Sequence, residues 1–171
     1  MCAICAVLSQ IAIPTPFGIP ITLQVFVFAL IGYVLDTRYA FITVFLYIVM
    51  GALGLPVLYG LRGGISAIIG DPTGGFIIGF IPLAVLCGVK RHLFNARHGR
   101  IFSVLIGFCG VIICHICGIS MYTVISGIPF LKSCVIVSLP FILKDFIFCF
   151  LAYLLSGKVI KVMKKSIPDF K

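Results

Sequence analysis

The sequence is a succession of apolar runs about as long as a membrane helix, parted by short breaks of proline, glycine or charge. "ITLQVFVFALIGYVL" is followed by the polar turn "DTR" at 36–38 and then by "YAFITVFLYIVMGALG". A hydrocarbon core about 30 Å thick needs about 20 residues of helix to cross it, and the backbone inside it must bond within its own segment. Such runs are therefore expected to be helices. With 62% of residues hydrophobic, 10% charged and a mean hydropathy of +1.30, the chain lies far from a soluble domain, which averages about 25% charged residues. Its 171 residues accommodate about six such helices in one membrane domain and leave no room for a soluble catalytic domain.

The expected architecture is an all-α integral membrane protein of six transmembrane helices. The spans fall at about 1–13, 21–36, 38–54, 74–89, 101–122 and 140–158, with Gly/Pro-rich outer loops folded over the bundle. "PTPFGIP" ends the first span, because proline cannot continue a helix. Pro140 is expected to open the last one, with 131–139 as a lead-in. The N-terminal "MCAICAVLSQIAIPTPFG" lacks a basic leader and a small-residue cleavage site, so it reads as a retained helix rather than a signal peptide.

The formal charge of +9 invites a nucleic-acid reading, but the placement of the charge argues against it. Lys90, Arg91, Arg97 and Arg100 crowd one loop, and Lys158, Lys161, Lys164, Lys165 and Lys171 follow the last span. Basic loops stay cytoplasmic. Counting through alternating spans puts both termini and the 36–38 turn, with Arg38, on the inside. The loops at 14–20, 55–73 and 123–133 then face outward, carrying only Arg62 and Lys132. The expected location is the cell membrane, with several passes and no nucleic-acid partner.

Most of the eight cysteines lie within apolar runs and read as small hydrophobes. "CHIC" at 114–117 has no second ligand pair for zinc, so His115 reads as a polar contact in helix packing. No metal or cofactor is expected. Nothing matches the phosphate-binding Gly-x-x-x-x-Gly-Lys-Ser/Thr pattern; "SGKV" at 156–159 lacks both its first glycine and its hydroxyl. This chain is not expected to hydrolyse ATP.

Polar groups inside a membrane are functional candidates by default. Here they collect toward one side: Thr22 and Gln24, Arg62, Asp71, Thr73, Gly74 and Gly75 in or near the long outer stretch, and Lys144 and Asp145 in the last helix. That is the pattern of a pocket opening outward. Each has a structural alternative. Gln24 also fits a helix–helix bond, Arg62 a snorkelling side chain, and Asp71 a turn or helix cap. Lys144 and Asp145 are adjacent, so they are expected to point about 100° apart and not to face each other. Asp145 has the weakest structural explanation.

"SQIAIPTPFGIPITLQ" (9–24), "YIVMGALGLPV" (47–57) and "GDPTGGFIIGF" (70–80) together resemble the BioY family, over the chain from about Ser9 to the last helix. BioY proteins are biotin-specific substrate-binding subunits (S components) of energy-coupling factor (ECF) transporters. The resemblance implies six helices, a biotin site near the outer face, and loops that close over the ligand. It also implies a transmembrane coupling subunit and two cytoplasmic ATPases as partners. A small-residue face of the first helix, here Ala3, Ala6 and Ser9, is implied to contact the coupling subunit. Asp71 stands where the family usually has Gly or Ser. "LKDFIF" (143–148) keeps Asp145 but has Phe148 in place of the family's lysine, for which Lys144 is a neighbouring substitute.

Read as a biotin site, Asp145 would accept the ureido N–H groups. Lys144 or Arg62, or the helix start at Thr73–Gly74–Gly75, would meet the carboxylate, and Tyr47, Tyr59 and Phe76 would form apolar walls. The glycine knot would bring backbone close to the ligand. The alternatives are an S component for another vitamin, an intramembrane enzyme using Asp71 with Asp145, and a structural membrane subunit.

Overall fold

A computed structural model of the protein describes residues 1–13, 20–89 and 99–166. The basic loop residues Lys90, Arg91 and Arg97, the tail residue Lys171 and most of the 14–20 loop lie outside these. The helices are α1 (Cys2–Ser9), α2 (Gln24–Val34), α3 (Thr37–Ala52), α4 (Ile65–Ile69), α5 (Gly74–Gly88), α6 (Gly99–Ser126), α7 (Phe130–Ser133) and α8 (Leu139–Ser166). A π-helical turn, Cys134–Ser138, joins α7 to α8.

The first expected span is shorter than the sequence suggests. α1 ends at Ser9, and Ala12–Ile13 (β1) pairs antiparallel with Ile21–Thr22 (β2), Ala12 opposite Thr22 and Ile13 opposite Ile21. Pro14 forces the residue before it into extended backbone, and the β-branched Ile13, Ile21 and Thr22 suit that state. The same pairing delays α2 to Gln24, three residues after its expected start. At the other end, α6 runs beyond its expected limits. Helix also precedes Pro140: the expected lead-in at 131–139 is helical, and the π turn lies just before the proline. Pro140 has no N–H for the regular ladder, and a widened turn accommodates that loss. Val137 and Ser138 are buried there.

Gly99–Ser126 and the segment Phe130–Ser166 are long and apolar enough to cross a membrane; α2, α3 and α5 are apolar but only 11, 16 and 15 residues long. Large apolar side chains stay exposed along whole faces, including Ile101, Leu105, Ile112 and Ile116 on α6, and Leu143, Ile147 and Leu154 on α8. Contiguous apolar faces of this kind are foreign to a water-soluble surface and match lipid.

α2 sits among α3, α5 and α8, and α5 packs along α6. Close backbone approach sets these contacts. A Cβ on Gly32 of α2 would stand 2.4 Å from the Ala84 carbonyl oxygen of α5. Gly75 and Gly79, four residues apart on α5, lie against α6: added Cβ atoms would stand 2.3 Å from the Cys117 carbonyl oxygen and 2.8 Å from Cys114 Cα. This is the Gly-x-x-x-Gly mode of helix packing, where small residues let backbones meet without a hydrophobic driving force. A Cβ on Gly74 would collide with the Ile68 carbonyl oxygen of α4. Gly74 and Gly75, expected to approach a ligand, are instead spent on packing α5 against its neighbours.

Candidate functional site

At one end of the bundle, α2, α5 and α8 diverge around a cavity. Its floor and walls carry Val25, Phe76, Ile77, Phe80 and Phe141, with Thr22, Gln24, Tyr59, Thr73, Lys144 and Asp145 as its polar groups and Pro20 at the rim. The space between these side chains is about 490 Å³, mouth included. Apolar walls with a few convergent polar groups are the usual form of a small-molecule site.

Asp145 is 3% exposed. Its Oδ2 lies 3.0 Å from His115 Nε2, and His115 Nδ1 lies 3.0 Å from the Ser138 hydroxyl. Lys144 Nζ stands 2.7 Å from Asp145 Oδ1. The expectation that neighbours on a helix cannot face each other fails here because the four-carbon lysine stem curls back over its own turn. The contact is a short ion pair, and among the described residues no other group bonds to buried Oδ1. A carboxylate oxygen has two lone pairs, so Oδ1 can keep Lys144 and still accept from a ligand N–H. Lys144 also lies 5.1 Å from the Phe148 ring centroid and 5.9 Å from that of Phe141, within cation–π range, and 3.4 Å from the Thr22 carbonyl oxygen, to which it donates.

Gln24, at the start of α2, is buried beside the cavity. Its amide donates to the Tyr47 hydroxyl at 3.2 Å, and its carbonyl oxygen is 3.2 Å from the Thr22 hydroxyl. Tyr47 is fully buried behind Gln24, so it is not the apolar wall that the sequence suggested. Its hydroxyl donates to the Val57 carbonyl oxygen at 3.0 Å and lies 3.0 Å from Ser9 Oγ. Tyr47 thus positions Gln24. Tyr47→Phe is expected to lower stability by about 1–3 kcal/mol, by leaving buried polar groups unmatched. A thermal melt in detergent checks this, and an unchanged midpoint contradicts it.

Ser9 is fully buried at the same junction. It therefore cannot belong to an outward small-residue face. Of the three residues expected there, Ala3 is exposed and Ala6 is half-buried. The neighbouring Gln10 ties α1 to the stretch after α3: its amide donates to the Val57 and Leu58 carbonyl oxygens at 3.3 and 3.0 Å, and its carbonyl accepts from the Leu61 amide at 2.8 Å.

The knot at 70–75 supplies Thr73 to the cavity. Asp71 Oδ1 accepts from the Thr73 amide at 2.9 Å and the Thr73 hydroxyl at 2.6 Å, and Oδ2 is paired with Arg62. The Gly74 amide donates to the Asp71 carbonyl, and the Phe76 amide to the Thr73 carbonyl. The amides of Thr73, Gly74 and Phe76 at the start of α5 are thus engaged within the knot. Arg62 also donates to the Tyr59 hydroxyl at 2.7 Å and lies over its ring, but it does not line the cavity. Tyr59 is the group this clasp places at the mouth. Phe76 reaches the wall as expected, its ring covering Gly118, where a Cβ would stand 2.3 Å away.

Burial would raise the Asp71 carboxyl, but bonds from Thr73 and Arg62 outweigh it and hold the group below its ordinary 3.8. A lowered carboxyl contributes stability above its unfolded value and loses it as pH falls through the folded one. The clasp is therefore complete from about pH 5 upward. Arg62 is half exposed. Arg62→Ala is expected to change ligand affinity less than about threefold, since exposed ion pairs contribute little. Titrations at about pH 5.5 and 7.5 should agree; a loss above about tenfold in the variant would place Arg62 on the ligand.

A family model described as the BioY family matches residues 1–165. The chain belongs to the BioY family. It is 35% identical to the probable biotin transporter BioY of Pyrococcus horikoshii over 75% of this chain and 73% of that protein. It is 34% identical to the biotin transporter BioY of Rhizobium etli, over 88% and 82%. The crystal structure of the S-component for biotin from an ECF-type ABC transporter superposes with a TM-score of 0.84 at 28% identity, covering 94% of this chain and 86% of that one.

Asp145, expected at the site, lines the cavity, and the ring of Phe148, where the resemblance implies a lysine, faces Lys144. Sequence reasoning gave His115 to packing, and passed over Ser138 and Phe141. The signal for Phe141 was its spacing, one turn before Lys144 and Asp145 on the same helix. For His115 it was an imidazole within an otherwise apolar run.

Proposed function

We propose that this chain is the membrane substrate-binding (S) subunit that captures biotin for import, energised by a separate ECF module. The observation that carries this is the buried Asp145 carboxylate, paired with Lys144, in an aromatic-walled cavity of a chain that belongs to the BioY family. Biotin offers two ureido N–H donors, a compact apolar bicycle and a valeryl chain ending in a carboxylate. The ureido group meets Asp145, and the bicycle packs between Phe76, Phe80 and Phe141. The carboxylate points away from Asp145 to the mouth, near Tyr59 and Thr73. Lys144 is engaged by Asp145, so it neutralises the acceptor more than it serves the carboxylate.

The chain acts as a single membrane domain of six spans in the cell membrane, with both termini cytoplasmic. Its partners are a coupling subunit and two ATPases, with α1, through exposed Ala3 and half-buried Ala6, toward the coupling subunit. Transport, not catalysis, is the activity: Asp71 is bound up with Arg62 and Thr73 away from the cavity, so it gives Asp145 no second carboxylate. Uptake of radiolabelled biotin by a biotin-auxotrophic bacterium lacking its own importer tests the function. This chain co-expressed with an ECF module should restore uptake. Failure with the module, in cells that carry the protein in their membrane, would refute import of biotin, and uptake of another vitamin would replace the substrate.

A further inference from the structure

The acceptor at the cavity is part of a longer chain of groups. Ser138 comes from the π turn before α8, His115 from the middle of α6 and Asp145 from α8, and all three are at most 4% exposed. Both imidazole nitrogens are engaged, each at 3.0 Å. The carboxylate can only accept, so Nε2 carries the proton and donates to Oδ2. Nδ1 is hydrogen-bonded to the Ser138 hydroxyl. Phe76, itself a cavity wall, stands edge-on to the imidazole at 5.5 Å and fixes the ring plane.

A carboxylate free to rotate could turn either oxygen to a ligand. Here Oδ2 is committed to His115, and Oδ1, beside Lys144 Nζ at the cavity lining, is the oxygen left to take a ligand donor. The charge of Asp145 is balanced by Lys144. We propose that His115 is a positioning residue for ligand capture: held in place by Ser138, it pins Asp145 Oδ2 and presents Oδ1 as an aimed acceptor for a neutral ring N–H donor. This rests on the reading of the cavity as the biotin site.

Glutamine and asparagine separate positioning from packing. The amide nitrogen of glutamine reaches about where Nε2 stands, whereas that of asparagine stops near Nδ1 and falls short of Asp145. His115→Gln is expected to bind biotin within about threefold of wild type. His115→Asn and His115→Leu are expected to bind about 10- to 100-fold more weakly, the range for a lost hydrogen bond to a charged group. Ser138→Ala, which frees the ring to turn, should weaken binding about 3- to 10-fold. Equilibrium dialysis of detergent-purified variants against labelled biotin gives the affinities, and melting temperatures show which are folded. Asparagine and leucine variants that bind like wild type overturn the proposal, as does a glutamine variant no better than asparagine at equal melting temperature. If the asparagine and leucine variants do not fold, Ser138→Ala at wild-type affinity overturns it. Wild type that fails to bind biotin would instead refute the biotin reading, and that shows in the first titration.

Discussion

Asp145→Ala is expected to weaken biotin binding by at least about 100-fold, the largest effect of any single side chain at the site. Three losses coincide. The ligand's N–H loses a charged acceptor, a contact worth about 1.5–3 kcal/mol. Lys144, three-quarters buried at its side chain, loses the carboxylate 2.7 Å away. The buried His115 Nε2–H loses its acceptor. Removing one member of a buried pair costs more than removing both, because the other is left uncompensated. Lys144→Ala/Asp145→Asn together should therefore fold better than Asp145→Ala alone while still binding biotin poorly. Equilibrium binding with labelled biotin, read beside the melting temperature, separates the terms. A single variant that folds and binds within about tenfold of wild type would remove Asp145 from the site.

Gly75→Ala is expected to disturb the bundle most. The new methyl would stand 2.3 Å from the Cys117 carbonyl oxygen and 2.7 Å from Met121 Cβ, and neither is the yielding end of a side chain. α5 and α6 must separate, at a cost of about 1–3 kcal/mol or more. Because Phe76, Ile77 and Phe80 leave α5 directly beyond this contact, the cavity wall shifts with it. Both the melting temperature and the affinity should fall. Gly157→Ala is the control: nothing lies within 4 Å of its added Cβ, and alanine is the better helix former. It is expected to be neutral or slightly stabilising. A Gly75→Ala protein that melts with wild type would contradict the packing account.

The apolar runs and their punctuation made the helical architecture legible, because lipid leaves the backbone few alternatives. Asp145 stood out for the same reason: a carboxylate in an apolar run has few structural explanations. What remained hidden depends on how elements meet. The pairing of Ala12–Ile13 with Ile21–Thr22 needed two short segments joined across prolines, and each alone reads as the frayed end of a helix. Gly74 and Gly75 look alike whether the close neighbour is a ligand or another helix; only the position of α6 decides. Tyr47 and Tyr59 are equally aromatic, but one is turned behind Gln24 and the other is clasped by Arg62 at the mouth. Ser138 reaches His115 from the widened turn before Pro140, and the proline alone announces only an interrupted ladder. Lys144 pairs with its neighbour through side-chain length, which helical spacing rules do not count.

The central claim is that this chain itself, without partners, binds biotin in the cavity ending at Asp145. Calorimetric titration of the detergent-purified protein with biotin tests it directly; the chain has no tryptophan for a quenching assay. The account predicts saturable one-site binding with a submicromolar dissociation constant (about −8 kcal/mol or stronger), nearly abolished in Asp145→Ala. Well-folded wild-type protein that releases no heat with biotin but binds another vitamin would contradict it.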